Sequence, residues 1–219
     1  MAGGVGRRMG GSLPKQFMML GNSPILVRTI NRVREALPAS EVVVVLPEEH
    51  IALWKNLSAR FEVAPHRVVA GGKERFLSVK AGIAALSDEV KYIAIHDGVR
   101  PLLSKKLIIR LLLEAEKHLA VVPVVAPTES CRIVEGDASH IINRDTVRLV
   151  QTPQVFSADL IRQAYEQPFT AAFTDDASVV EAAGGSIFLC EGERQNIKIT
   201  TPDDITFAEA VINREDEEF

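Results

Sequence analysis

Short apolar runs rich in β-branched residues alternate along the chain with stretches whose apolar positions recur every three to four residues. "EVVVVLP" (41–47), "HRVVA" (66–70), "KYIAIHD" (91–97) and "LAVVPVV" (119–125), the last interrupted by Pro123, are nearly continuous in hydrophobicity. A strand with one wet face would alternate, so these read as strands of a parallel sheet covered on both sides. Helices are predicted between them. Ser23 caps the first and Pro24 opens it, with Ile25, Leu26, Ile30, Val33 and Leu37 as its apolar stripe. Others follow at 48–60, 74–86 and 104–118, the last capped by Ser104. Further on, helices are expected at 157–166, 175–183 and 202–213, and strands at 186–190 and 196–200. Strand–helix alternation over 219 residues predicts a single α/β domain, Rossmann-like, with a doubly wound and mostly parallel sheet.

Residues 129–150 break this rhythm. "CRIVEGDASHIIN" places two short β-prone runs around a Glu-Gly-Asp turn, which predicts a β-hairpin protruding from the sheet. Such a hairpin is either an idle surface feature or an arm that docks on another subunit. The acidic tail "REDEEF" carries no assigned role.

Composition narrows the partners. A net charge of −4 gives no field to attract nucleic acid or an anionic membrane, so any anionic ligand must meet a local cluster of positive charge. No apolar stretch is long enough to span a bilayer, and no signal peptide is evident. Cys131 and Cys190 match no metal spacing and read as reduced thiols of a cytoplasmic protein.

The chain opens on "MAGGVGRRMGGSLPKQF". Gly3, Gly4 and Gly6 permit close backbone approach to a ligand, and successive N–H groups in such a turn form an anion-binding concavity. Arg7, Arg8 and Lys15 add positive charge, with Pro14 stiffening the approach of Lys15. The stretch is neither a Walker loop nor a dinucleotide fingerprint, which lacks its third glycine here. "GGKERFLSV" (71–79) is a strand-to-helix turn at a carboxyl end of the sheet, where open α/β sheets bind ligands; Ser78 either reaches a nucleobase or has no ligand role. "HDGVRP" (96–101) places Asp97 and Arg100 at another strand tip, whereas His96 reads as a satisfied core histidine. Asp175 and Asp176 resemble a carboxylate pair but suit an N-cap and a first-turn acid of the helix that follows. Lys198, between Ile197 and Ile199, is either an edge gatekeeper or a placed charge. Positive charge beside glycine turns, at Arg8, Lys15, Arg100, Arg144 and Lys198, with no candidate nucleophile, suits chemistry on phosphates by positioning and charge stabilisation.

With those residues in view, the sequence resembles the 2-C-methyl-D-erythritol 4-phosphate cytidylyltransferases. The likeness rests on "AGGVGRRM", "PKQF", "GGKERFLSV", "HDGVRP", "QTPQVF", "FTDDAS" and "NIKITTPDD", in the family's order and nearly end to end. It implies a Rossmann-like nucleotidyltransferase in which CTP and methylerythritol 4-phosphate, with Mg2+ carried largely by the CTP phosphates, give the cytidine diphosphate product and pyrophosphate. By the resemblance Arg8, Lys15, Arg144 and Lys198 are the catalytic charges. Gly3, Gly4, Gly6, Gly72, Lys73, Ser78 and Gly98 serve the nucleotide, and Asp97, Arg100, Ser130, Thr152 and Thr174 serve the polyol phosphate. No protein metal ligand is implied. The hairpin becomes an arm exchanged within a homodimer. Two positions depart from the pattern: Lys73 stands where an acid is common, and "TESCR" replaces the usual Asp-Thr or Asp-Ser, so that Ser130 is the match.

Three rival readings remain. Ribitol-5-phosphate cytidylyltransferases share the opening loop, "QTPQ" and the asparagine–lysine motif, but "NRD" and "FTDDAS" favour the methylerythritol substrate. A nicotinamide-linked oxidoreductase requires an acid at the second strand tip, and Glu48 is poorly placed for it. A non-catalytic nucleotide binder would have no need of Arg8, Lys15 and Lys198 together. Relatives also carry apolar residues ahead of the glycine loop as a central first strand. Without that strand, a groove through the sheet, a mobile loop and a weakened enzyme are expected.

Overall fold

The computed structural model describes residues 1–2 and 13–217, with side chains through residue 214. Gly3, Gly4, Gly6, Arg7 and Arg8 lie outside the described residues. A 3-10 turn at Lys15–Phe17 leads into a small antiparallel pair, β1 (Met19–Leu20) and β2 (Ser23–Pro24), with Gly21 at φ 61° in the turn. Then come α1 (Ile25–Ala36), β3 (Val43–Leu46), α2 (Glu48–Ser58), β4 (Arg67–Ala70), α3 (Arg75–Ala84), β5 (Tyr92–Ile95), α4 (Lys105–His118) and β6 (Ala120–Val125). The alternation read from hydrophobicity is therefore observed. One detail differs: Pro24 is the N-cap of α1 and Ser23 pairs in β2, so α1 starts without a side-chain cap. Ser104 does cap α4, its Oγ accepting the Leu107 N–H at 3.0 Å.

Residues 131–142 form an antiparallel hairpin, β7 (Cys131–Glu135) and β8 (Ala138–Ile142), a two-stranded sheet of its own turning at Gly136 with φ 59°. The chain returns through a 3-10 turn at Arg144–Thr146 and β9 (Leu149–Val150), which pairs with β6. β10 (Gln154–Ser157), α5 (Ala158–Ala164), α6 (Asp176–Ala182), β11 (Phe188–Glu191) and α7 (Pro202–Glu217) complete the described fold.

The sheet is mostly parallel but not wholly. In the order β11-β6-β10-β5, β10 runs antiparallel to both its neighbours, while β11 and β6 are parallel. Sequence reading missed β10 because Gln151, Thr152 and Gln154 look like a polar loop; their side chains are buried and bonded instead. The expected strand at 196–200 is not formed. That segment is held by single bonds, such as Ile199 N–H to the Val99 carbonyl at 2.9 Å, and by burial of Ile199 beside Leu20, Val99 and Val211.

β3 and β4 form a separate parallel pair. Between β3 and β5 lies a cleft of about 450 Å3 lined by Val43, Val45, Ile93, Ile95, Leu26 and Ile83. Among the described residues, chain bridges it at one end: Ala2 N–H donates to Val45 O at 3.0 Å, Gly98 N–H to Met1 O at 2.7 Å, and the Met1 ammonium to His96 O at 2.6 Å. On one side of the cleft Trp54, Phe17, Leu26, Ile30, Val44 and Leu46 form a core under α1 and α2. On the other, clusters around Phe156, Ile161 and Tyr165 and around Leu107, Leu111 and Val121 cover the two faces of the larger sheet.

Candidate active site

Asp97 follows β5 and is the hub of the best-defined polar cluster. Its Oδ2 receives Lys198 Nζ at 3.1 Å and Arg100 Nε at 3.2 Å. Burial opposes ionisation of Asp97, but Lys198 and then Arg100 outweigh it and hold the carboxyl well below its ordinary range. Arg100 also donates from Nη1 to the Asn196 carbonyl at 2.8 Å, so its guanidinium is fixed from two sides. Lys198 behaves as the alternation of 197–199 requires. Ile199 is buried while Lys198 projects the other way, its side chain 44% exposed and its amine on Asp97.

Thr152 completes this corner. Its Oγ1 accepts the Asp97 N–H at 3.0 Å and bonds His96 Nδ1 at 3.0 Å. The His96 Nε2 lies 3.1 Å from Arg100 O, so both ring nitrogens are engaged, and burial pushes the imidazole down to about 4. It is a neutral framework histidine, as read from the sequence. Gly98 is closely packed: a Cβ there would lie 2.9 Å from Leu26 Cδ1 and 3.2 Å from Met1 O, so both neighbours would have to give.

The second group of residues sits at the turn after β4. Gly71 N–H donates to Leu46 O at 2.7 Å, and a Cβ on Gly72 would collide with Leu77. Ser78 is buried with its hydroxyl donating to Gly72 O at 3.1 Å, so it shapes the turn whatever else it meets. Lys73 is exposed. Arg75, which opens α3, forks onto Asp176 at 2.8 and 2.5 Å, and Tyr165 OH donates to the same carboxylate at 2.6 Å. Asp175 caps α6 by a reciprocal capping box with Ser178. Both acids are therefore structural in the way their place in the sequence predicted, while Thr174 just before them is exposed. Asp97, Lys198, Arg75 and Asp176 all act on the Met1 ammonium, so the two groups of residues border the same end of the cleft.

Lys15 lies half-buried on the 3-10 turn. Arg144 is not in the Asp97 cluster: it is exposed beyond the hairpin, with Nη1 donating to Thr128 O at 2.6 Å. Ser130 is likewise exposed at the hairpin base. Sequence reading missed Gln151, Gln154, Asn196 and Arg75. Each lay inside a quoted motif, but pairing across 21 to 101 residues has no local signature.

The site can hold anions. Its described part offers two cations, Arg100 and Lys198, held on one ionised carboxylate, Asp97. A covalent route has little support: Cys190 is buried with its thiol pushed up by burial, and His96 is locked. Among the described residues no group of three or more His, Cys, Asp or Glu could hold a metal ion. This is the architecture of a phosphate-handling α/β nucleotidyltransferase.

The comparisons specify the family. The family model for IspD, 2-C-methyl-D-erythritol 4-phosphate cytidylyltransferase, matches residues 1–214. The enzyme of that name from Bacteroides fragilis is 46% identical over 214 residues, covering 97% of each chain, and that from Bacteroides thetaiotaomicron 45% over 213. In fold, the 4-diphosphocytidyl-2C-methyl-D-erythritol synthase of Anaerococcus prevotii superposes with a TM-score of 0.80 at 29% identity, over 97% of this chain and 95% of that one. The Thermus thermophilus cytidylyltransferase gives 0.74 at 32%, over 91% and 94%. The chain belongs to the 2-C-methyl-D-erythritol 4-phosphate cytidylyltransferase family. It is an enzyme of the cytidylyltransferase class, and the ribitol phosphate and nicotinamide readings are not favoured.

Proposed function

We propose that this enzyme transfers CMP from CTP to 2-C-methyl-D-erythritol 4-phosphate in isoprenoid biosynthesis. The observation that carries the reading is the Asp97–Arg100–Lys198 cluster beside Thr152, four residues from three separated motifs of the family brought into one corner. A phosphate oxygen of the polyol substrate attacks the α-phosphorus of CTP. The new P–O bond forms as the bond to the β-phosphate breaks, and pyrophosphate carries the electron pair away. Lys15 and Arg8 hold the triphosphate, and Lys198 meets charge developing on the α-phosphate. Asp97, pinned by Arg100, keeps Lys198 aimed and presents an acceptor to a substrate hydroxyl. The turn at Gly71–Lys73 and Ser78 borders the base. Arg144, Ser130 and Thr174 serve the polyol phosphate.

The donor set fits Mg2+ bound mainly by nucleotide phosphates, because that ion keeps its waters and needs only one or two protein carboxylates. Bound there, it would neutralise phosphate charge. The placement of Arg144 and Ser130 on the hairpin side supports a homodimer in which the arm, residues 129–150, completes a partner's site. Exposed Val134, Ile141, Leu149 and Val150 give that arm an apolar surface to bury. A cytoplasmic location fits two unpaired cysteines and, among the described residues, no helix long and apolar enough to cross a membrane.

Pyrophosphate release from CTP and Mg2+ is the test, with methylerythritol 4-phosphate and ribitol 5-phosphate compared at equal concentration. Preference for the methylerythritol substrate is expected; faster turnover of ribitol 5-phosphate overturns the reading.

A further inference from the structure

Between the turn after β4 and the loop that carries Thr174 there is one fully buried carboxylate, Asp176, and the reaction as described does not use it. It accepts three hydrogen bonds: two from the Arg75 fork, at 2.8 and 2.5 Å, and one from Tyr165 OH at 2.6 Å. Burial opposes the charge on Arg75, but its bonds to Asp176 outweigh burial and push its pKa up; burial and then the Asp176 charge push the Tyr165 hydroxyl up too. Arg75 and Tyr165 thus keep the protons they donate to the carboxylate.

The placement of these groups is specific. Arg75 is the first residue of α3, directly after the turn 71–74, and Asp176 is the first residue of α6, two residues after Thr174. Phe76, next to Arg75, stacks on Tyr165 at 4.7 Å and on Phe173 at 5.4 Å, so the same two segments meet again one residue on. On the far side, Asp175 Oδ2 accepts from Gln154 Nε2 at 2.8 Å, while Gln154 Oε1 accepts the Ala177 N–H at 2.9 Å. Gln154 lies two residues beyond Thr152, which holds the Asp97 backbone. A continuous set of bonds therefore runs from the base-side turn through α6 to the Asp97 corner. A buried ion pair is a poor source of net stability, since a well-packed apolar pair of the same shape often does as well. What a forked arginine–carboxylate pair supplies is a fixed distance and angle.

We propose that Arg75 and Asp176 are positioning residues that set the separation between the base-side turn (71–74) and the Thr174 loop. Resting on the cytidylyl-transfer reading above, the proposal makes the bridge a control on how tightly both substrates are held. Neither side chain touches the reacting atoms.

The test compares the parent with Arg75→Lys, which keeps the charge and loses the fork, and with the double variant Arg75→Met, Asp176→Leu, which replaces the pair by apolar side chains and guards against a variant that fails to fold. Far-UV circular dichroism and melting temperature establish folding. Steady-state kinetics at 25 °C then give KM for each substrate, and calorimetric titration with CTP and Mg2+ alone reads the nucleotide side without turnover. The expected result is a rise of at least tenfold in KM for both CTP and the polyol phosphate, with a matching loss of CTP affinity, in whichever variant is folded at 25 °C. A lowered melting temperature with both KM values and the CTP affinity unchanged overturns it, because a purely structural pair would behave that way. A parent that binds CTP but prefers ribitol 5-phosphate overturns the substrate reading and leaves this comparison intact. A parent that binds no CTP overturns both.

Discussion

In protein that starts at Met1, the ammonium lies at the bridged end of the cleft, against the His96 carbonyl at 2.6 Å, and burial pushes it from 8.0 down to about 6. Neutralising it is a clean perturbation, because an acetyl cap removes the charge and keeps an N–H to donate to His96. The sign follows from linkage. The unfolded amine stays protonated up to about pH 8, whereas the folded amine sheds its proton above about 6. Between these values the unfolded state binds more protons, so stability rises with pH. The contribution is fully present above pH 8 and lost as pH falls through about 6. Two units at about 1.36 kcal/mol each give about 2.7 kcal/mol, and water reaching the open cleft lowers this to about 2. His96 has the same sign in a separate window, since its folded value near 4 lies below the ordinary 6.5. The assay is urea unfolding at half-unit intervals from pH 5 to 8.5, for free and acetylated protein. The free chain should gain about 2 kcal/mol between pH 6 and 8. The acetylated chain should be flat there yet still lose stability below pH 6.5. Equal slopes for the two proteins between pH 6 and 8 would refute the buried-charge argument.

Other outcomes are expected at single residues. Lys198→Ala and Lys15→Ala should each lower kcat by about 10²–10³, the loss typical of removing one preformed charge-stabilising group; pyrophosphate release reads it. Trp54→Ala should cost about 3–5 kcal/mol in urea unfolding, because Trp54 is fully buried, stacks on Phe17 at 5.8 Å and bonds His66 at 3.0 Å. Replacing Val134 and Ile141 with Ser should shift sedimentation toward monomer and reduce kcat/KM if the arm completes a partner's site.

The parts of this fold that could be read from the chain were those with local causes. β3, β5 and β6 announce themselves as nearly continuous apolar runs, α4 by the Ser104 cap, and α6 by the Asp175 cap. β10 stayed hidden because its Gln154 is polar, and only the fold shows that its amide is consumed by Asp175 and Ala177. The 196–200 segment read as a strand because Ile197 and Ile199 alternate with Lys198. That period is real, but its cause is one buried isoleucine against α7 rather than a ladder. At the candidate site, Asp97 is singled out by its place at a strand tip, and Arg100 and Lys198 by positive charge beside glycine turns. Their mutual contacts, and the role of Arg75, depend on distant pairings that periodicity does not encode.

The division of the sheet between β3 and β5 has a consequence for how the molecule opens. β3, β4, α1 and α2 share one core, while β5, β6, β10 and β11 share others, and among the described residues few backbone bonds cross from one side to the other. These two halves should behave as separate units of cooperative opening, with amides of β10, bonded on both flanks, exchanging slowest. The β4 side should exchange faster at any pH. Because Asp97 and Gly98 hang from one half and the Gly71–Gly72 turn from the other, each partial opening would separate the two sides of the site before the chain as a whole unfolds.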